Sequence, residues 1–289
     1  MSDITRVGVA GCGLMGSGIV EVCSRAGLDV VVREVDDGAA AAGRARIEGS
    51  LARGVRAGKL SAEDRDAALA RVRVTTALDD LADRELVIEA ATENPAVKAA
   101  LFAELDRVAE RPDVILATNT SSIPIVQVAQ ATTRPAQVVG LHFFNPVPVQ
   151  RLVEVIPSVL TAPQVVQRVT DLVTKALGKA VIKAPDRSGF VVNALLVPYL
   201  LSAIRMLEAG YATAEDIDLG MTLGCAHPMG PLRLSDLIGL DTLKAVADSM
   251  YEEYKEPLYA APPLLRRMTD AGLLGRKSGR GFYDYEDSR

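Results

Sequence analysis

The chain has 289 residues, 49% hydrophobic and 24% charged, enough to bury one large core or two medium ones, which excludes a disordered chain. Its 37 acids and 32 bases are spread throughout and give a formal net charge of -5, so nothing in the balance points to a nucleic-acid partner. Three cysteines without CxxC or CxxH spacing read as buried small residues in a reducing, cytoplasmic compartment.

No basic stretch followed by an apolar run opens the chain, so no signal peptide is expected. The most apolar run, residues 190–204, is interrupted by Asn193, Pro198 and Ser202 and is shorter than a bilayer span, so no membrane partner is expected.

In chain order, residues 6–10 form a short apolar strand that enters Gly11, Cys12, Gly13, Leu14, Met15 and Gly16, a GxGxxG turn. The first glycine permits the tight turn, the second lets backbone approach a pyrophosphate, and the third lets the following helix pack closely. That helix runs to about Arg25 and stops at Gly27. The next strand, residues 28–32, ends beside Glu34, eighteen residues beyond Gly16. A carboxylate there accepts hydrogen bonds from an adenosine ribose diol and repels a 2′-phosphate, which favours NAD over NADP, with adjacent Arg33 as a softening charge.

Residues 37–71 have helical spacing, with Ile47, Leu51 and Val55 on one apolar face. Gly58 breaks the helix, and Ser61 with Asp64 reads as the cap of a second one. Arg46, Arg53, Arg56 and Lys59 make the far end of the first helix basic, either as a solvated face or as a surface for an anionic, phosphate-bearing substrate tail.

Further strands are expected at 72–75, 86–89, 114–117, 138–141, 153–156 and 180–183, with helices at 97–107, 125–130 and 163–177. Polar residues at the carboxyl ends of parallel strands face the cofactor crevice. Glu89 and Glu93 are placed there to touch the nicotinamide half or to hold a neighbouring side chain. Asn119, Ser121 and Ser122 offer amide and hydroxyl groups at the same rim, and the next strand delivers His142 to it. Seven or eight short strands with helical crossovers in the first six make a doubly wound, mostly parallel α/β sheet of Rossmann type, its order beyond the sixth strand not readable.

Residues 184–190, APDRSGF, read as a hinge. They divide the chain into a dinucleotide-binding domain at 1–184 and an all-helical C-terminal domain at 185–289. A helix over 189–209 is apolar almost all round and needs cover both from its own domain and from a second subunit, so a homodimer through this domain is expected. Pro198 is a candidate bend. Asn193 is either a buried amide satisfied by backbone or a donor to substrate. Helices follow at 213–223, 232–254 with an interruption at Gly239, and 262–271. His227 reads as a turn residue capping a helix. The last stretch, 272–285, reads as loops and a short aromatic strand. Its Arg276, Lys277 and Arg280 form either an anion nest or a turn against the helices.

The chemistry concentrates in GLHFFNPVPVQRLVEVI, residues 140–156. It holds His142, one of two histidines in the chain, and twelve residues later Glu154, an acid between two valines. Oxidation of an alcohol beside NAD needs a group that takes the hydroxyl proton near neutral pH, which histidine does. A carboxylate on the other ring nitrogen fixes the tautomer and stabilises the imidazolium, and an unpaired Glu154 in an apolar strand would be costly. Separation in sequence proves no contact between them. No metal is needed, and no HxxxH or cysteine cluster offers one a site.

GVAGCGLMGSGI, IEAATEN, ATNTSSIPI, the 140–156 block, DRSGFVVNALLVPYL, GCAHPMGPLRLSDLIGLD and GRKSGRGFYDY together resemble the short-chain L-3-hydroxyacyl-CoA dehydrogenase family, in particular its monofunctional bacterial 3-hydroxybutyryl-CoA members. The pieces cover nearly the whole length in the family's order, and the block around His142 is the most specific. The resemblance implies NAD-dependent oxidation of a short L-3-hydroxyacyl-CoA and the reverse reduction, with His142 as base, Glu154 as its orienting acid, and Ser121 and Asn193 on the substrate's 3-oxygen and thioester region. It also implies cofactor contacts at Glu34, Glu89, Glu93, Lys98 and Asn119, with Asn145 as a supporting polar group, and CoA contacts at Ser50, Arg53 and Lys59. Many members carry aspartate where Glu34 stands; glutamate keeps the charge with one more methylene. The rival readings are a dehydrogenase of a non-CoA 3-hydroxy acid, of carnitine or L-gulonate type, and a catalytically silent dinucleotide-binding protein. Acyl chain length and physiological direction are not legible.

Overall fold

The computed structural model describes residues 3–285. The chain divides into two compact units, Met1–Asp186 and Arg187–Arg289.

The first unit runs β1 (Arg6–Ala10), α1 (Leu14–Arg25), β2 (Asp29–Arg33), α2 (Asp37–Arg56), α3 (Ala62–Ala70), β3 (Val72–Thr75), β4 (Leu86–Glu89), α4 (Pro95–Val108), β5 (Ile115–Thr118), α5 (Ile125–Ala129), β6 (Val138–Phe143), β7 (Leu152–Ile156), α6 (Pro163–Asp171) and β8 (Ala180–Lys183). The strands form one eight-stranded sheet in the order β3-β2-β1-β4-β5-β6-β7-β8. Every neighbouring pair is parallel except β6 and β7. Only residues 144–151 join those two strands, too short a connection for the helical crossover a parallel return needs. The central strands are buried on both faces, as helices on each side of a doubly wound sheet require. Val9, Ile88, Leu141, Val153 and Val155 belong to one apolar core with Ile19 of α1 and Ile47 and Leu51 of α2.

Local signals account for most boundaries. Ser61 Oγ accepts from the amide of Asp64 (2.9 Å) and caps α3, and Asn94 Oδ1 accepts from Ala96 and Val97 to cap α4. Several boundaries shift by a residue or two from the expectation, and three differences matter here. β6 continues to Phe143, so His142 lies inside the ladder rather than beyond it. The helix expected over 163–177 is α6 followed by a π turn at Leu172–Ala176. The first unit ends at Asp186, two residues later than expected, because Asp186 accepts from the amides of Ile125 (2.6 Å) and Val126 (2.9 Å) and so belongs to the start of α5.

The second unit holds α7 (Val192–Glu208), α8 (Ala214–Leu219), α9 (Pro231–Ile238), α10 (Leu240–Tyr254) and α11 (Pro263–Asp270). Pro198 lies inside α7 without dividing it. Val197, Leu200, Leu201 and Ile204 of α7 pack with Leu232, Leu243, Met250 and Leu265, so α7 is central to this core. The expected aromatic strand in 272–285 is absent. Isolated bridges join Gly275 to Arg280 and Arg280 to Asp284, while buried Asp236 holds the segment by accepting from Phe282 N, Tyr283 N and the Tyr285 hydroxyl, each at 3.0 Å. Lys277 pairs with Asp241 at 2.5 Å and Arg276 lies over the Tyr285 ring, so packing of a turn occupies these cations. Among the described residues no helix is long and apolar enough to cross a membrane.

Candidate active site

The antiparallel pairing of β6 and β7 places His142 directly opposite Glu154. Directly opposed residues on one sheet face bring their side chains into contact, so the register itself makes this pair. His142 Nδ1 lies 2.7 Å from Glu154 Oε2, with His142 4% exposed and Glu154 fully buried. Valines 153 and 155 point to the other face and anchor β7 in the core. Two residues back along β6, Gly140 leaves no room for a side chain: a Cβ there would come within 2.8 Å of Ile125 and 2.9 Å of Ile156.

The other ring nitrogen, Nε2, lies 3.0 Å from Ser121 Oγ, and the His142 ring meets Phe144 edge-on with centroids 4.6 Å apart. The carboxylate at Nδ1 fixes the proton there, which leaves Nε2 as the basic nitrogen facing the serine hydroxyl. Ser121 is half-buried, at the carboxyl edge of the sheet just beyond β5.

The glycine turn lies at the carboxyl end of β1. Gly11 takes φ +101°, and a Cβ on Gly16 would sit 2.0 Å from the Gly11 carbonyl oxygen, so both positions require glycine. A Cβ on Gly13 would meet nothing within 4 Å, so this part of the turn is open. The α1 N-terminus has no side-chain cap and no acid in its first turn, and Leu14 is exposed. Its free amides and positive dipole end suit a pyrophosphate. Glu34 Oε1 accepts from Cys12 N at 2.5 Å, which sets its carboxylate against the turn, while Arg33 Nε donates to the Thr76 carbonyl. Burial and the Glu34 charge push the Cys12 thiol up to about 12, so it stays protonated. These groups fit a dinucleotide with a free ribose diol.

Comparison with known proteins agrees with this architecture. Residues 6–187 match the family model for the 3-hydroxyacyl-CoA dehydrogenase NAD binding domain, and residues 189–285 match that for the 3-hydroxyacyl-CoA dehydrogenase C-terminal domain. The chain belongs to the 3-hydroxyacyl-CoA dehydrogenase family. It is 60% identical over 286 residues to a 3-hydroxybutyryl-CoA dehydrogenase of Mycobacterium tuberculosis, covering 99% of this chain and 100% of that one. The crystal structure of FadB2 from the same organism matches with a TM-score of 0.97 at 60% identity, covering 98% of this chain and 99% of that chain. The (S)-3-hydroxybutyryl-CoA dehydrogenase PaaH1 of Ralstonia eutropha matches with a TM-score of 0.92 at 44% identity, covering 98% and 100%.

The remaining residues expected at the site lie at the carboxyl edge of the sheet, on the β6–β7 turn, on or beside α2 and in the second unit. Glu89 and Lys98 are turned into the protein: Lys98 Nζ lies 2.6 Å from Glu89 Oε1, and Glu89 Oε2 accepts from Thr118 Oγ1. They are 0% and 1% exposed, so the carboxylate holds neighbouring groups, which is one of the two roles the sequence left open for Glu89. Glu93 is partly exposed; its Oε1 accepts from Thr120 Oγ1, Ser121 N and Ser122 Oγ, and its Oε2 lies 3.4 Å from Lys98 Nζ. Asn119 Oδ1 accepts from Phe143 N at 2.9 Å, which ties the end of β5 to the residue after His142. Asn145 is exposed on the β6–β7 turn.

Ser50, Arg53 and Lys59 lie on or just beyond α2, with Ser50 half-buried and both cations exposed. Among the described residues no carboxylate pairs with Arg53, Arg56 or Lys59. Asn193 is half-buried in the first turn of α7, in the second unit. His227 is a turn residue whose Nδ1 lies 3.1 Å from the Tyr199 hydroxyl; its ring pairs with Tyr199 instead of capping a helix. Thr118, Thr120 and Asp186 are supports that the sequence reading did not single out. The signal for the threonines was the run of hydroxyls in ATNTSS at a strand's carboxyl end. No group of three or more metal-ligating side chains occurs among the described residues.

Proposed function

We propose that this chain is an NAD-dependent dehydrogenase of short L-3-hydroxyacyl-CoA esters, with 3-hydroxybutyryl-CoA as substrate, working also in reverse on the 3-oxoacyl-CoA. The observation that carries the reading is the His142 imidazole, held at Nδ1 by Glu154 and facing Ser121 at Nε2, on the same sheet edge as an open glycine turn. NAD, when bound, supplies the hydride acceptor. Gly11, Gly13, Leu14, Met15 and Gly16 seat its pyrophosphate, and Glu34 takes the ribose diol. His142 Nε2 accepts the 3-hydroxyl proton as hydride leaves C3, and Glu154 stabilises the imidazolium. Ser121 Oγ, already at hydrogen-bond distance from Nε2, holds the substrate oxygen beside it. Glu93, Asn119 and Asn145 line the cofactor side, with Glu89 and Lys98 supporting them from beneath. Asn193 binds the thioester region and Ser50, Arg53 and Lys59 the CoA, roles that rest on the family resemblance and, for the cations, on their exposure.

The protein is further proposed to be a cytoplasmic homodimer. Its three cysteines are free, Cys12 and Cys23 buried and Cys225, against the expectation, exposed; free thiols suit a reducing compartment. The second unit carries an apolar groove of about 600 Å³ lined by Val191, Leu195, Tyr199 and Met229, and Leu195, Tyr211 and Leu223 are 76%, 82% and 79% exposed. Apolar surface of this kind marks an interaction face.

The function is tested by a rate series with NADH and NADPH over acetoacetyl-CoA, longer 3-oxoacyl-CoAs and the free acids 3-dehydrocarnitine and 3-dehydrogulonate. Fast turnover of acetoacetyl-CoA with NADH is expected. Turnover of a free acid alone would move the protein to the non-CoA reading.

A further inference from the structure

Ser121 is held in place by a buried neighbour in its own loop. Thr120 is 1% exposed, and its hydroxyl sits at the centre of the loop between β5 and α5. Thr120 Oγ1 donates to Glu93 Oε1 at 2.5 Å. The same oxygen accepts from Ile123 N at 2.9 Å and from Ser122 N at 3.2 Å. Ser121 N donates to the same Glu93 oxygen at 3.0 Å, and Thr120 N donates to Thr118 Oγ1 at 3.3 Å. Thr118 in turn donates to Glu89, which pairs with Lys98.

Ser121 is therefore flanked on both sides by backbone fixed to one hydroxyl and one carboxylate. Its own Oγ takes no part in this network and is directed at His142 Nε2. A loop residue with a short side chain keeps a reactive geometry only where its backbone is fixed this way, because a shift of an ångström at a reacting group lowers rates severely. Downstream the loop is fixed again where Asp186 caps α5 at Ile125 and Val126.

We infer that Thr120 is a positioning residue of the dehydrogenase reaction: its buried hydroxyl, bridging Glu93 to the amides of Ser122 and Ile123, fixes the Ser121 hydroxyl on His142. The inference rests on His142 and Ser121 as the reacting pair. Its consequence is that the methyl of Thr120 is dispensable while the hydroxyl is not. Serine keeps the donor and both acceptor bonds; valine keeps the shape and loses all three.

The test compares Thr120→Val, Thr120→Ser and Ser121→Ala, alone and as the Thr120→Val/Ser121→Ala pair, in the full chain with acetoacetyl-CoA and NADH. Thr120→Val is expected to lower kcat about tenfold to a hundredfold, because part of the effect of its three lost hydrogen bonds is expressed at the reacting atoms, with the KM for NADH within about twofold of wild type. Thr120→Ser is expected to restore most of the rate. In the double variant the Thr120→Val loss is expected to disappear, because a residue acting through Ser121 has nothing left to position. Should Thr120→Val not fold, Thr120→Ala removes the same hydroxyl without its methyl groups and carries the same comparison. Losses that multiply in the double variant, or a Thr120→Ser as slow as Thr120→Val, would overturn the inference while leaving the His142 reading intact. Wild-type turnover in Ser121→Ala would instead overturn the assignment of the reacting pair, and the inference with it.

Discussion

Glu154 stands directly across the β6–β7 ladder from His142, and its Oε2 lies 2.7 Å from Nδ1. The strand register itself brings this buried carboxylate and imidazole together once the hairpin closes. A single-residue slip of β7 would send Glu154 to the opposite face and leave His142 against valine.

His142→Ala is expected to lower kcat about 10²- to 10⁴-fold, the usual contribution of a general base, while the dissociation constant for NADH stays near wild type. Glu154→Gln is expected to lower kcat by a similar order, because the amide no longer stabilises the imidazolium. Stopped-flow rates and fluorescence titration of NADH report both quantities. A large loss of NADH affinity in His142→Ala would count against a role confined to proton transfer.

Glu34→Ala is expected to raise the KM for NAD and to narrow the preference over NADP. The carboxylate held at Cys12 N is lost, and on the proposed reading its ribose contact and its repulsion of a 2′-phosphate go with it. Steady-state kinetics with both cofactors decide this; an unchanged ratio of kcat/KM would remove Glu34 from the ribose site.

Arg53→Glu and Lys59→Glu are expected to raise the KM for acetoacetyl-CoA several-fold at low salt, with less effect at high salt, since exposed charges are screened over a Debye length. The KM for acetoacetyl-pantetheine, which lacks the nucleotide phosphates, should not change. Equal effects on both substrates would place the CoA elsewhere.

Stability should fall in acid partly through Asp106 of α4. Burial works against its charge. Bonds from Thr133 N at 2.6 Å and Thr133 Oγ1 at 2.8 Å, together with the Arg134 guanidinium, outweigh burial and hold the carboxyl below its usual range. A depressed folded-state pKa contributes stability above the unfolded value of about 3.9 and loses it as pH falls through the folded one. Asp106→Asn is therefore expected to be less stable than wild type at pH 7, by about 1–3 kcal/mol for charge-assisted bonds, with the gap closing below about pH 4. Thermal unfolding of both proteins across that range measures it; a gap independent of pH would assign the loss to packing.

Much of the first unit was legible because its signals are local. The glycine turn, the strand before it and Glu34 after the next strand lie within about thirty residues, and each has a steric or electrostatic reason to be where it is. Helix caps such as Ser61 act over three residues and were readable for the same reason. The end of β6 is not legible locally because pairing with β7 extends the ladder over His142 and Phe143, an effect of a strand fourteen residues beyond Val138. Glu89 could be read two ways, since one strand end can face a crevice or a neighbouring helix, and only the position of Lys98 on α4 decides it. Thr120 carried no pattern that distinguishes a buried hub from an exposed hydroxyl.

By itself, then, the sequence determined the two-part architecture, the dinucleotide turn and the identity of the residue able to take a proton, because periodicity, steric demand and pKa belong to residues and their near neighbours. Tertiary structure decided which groups meet: Glu154 with His142 across an antiparallel turn, Ser121 on the ring nitrogen Nε2, and Thr120 and Glu93 beneath it. Those contacts depend on strand order and register, which are set by how the whole sheet buries its two faces and not by any one segment of the chain.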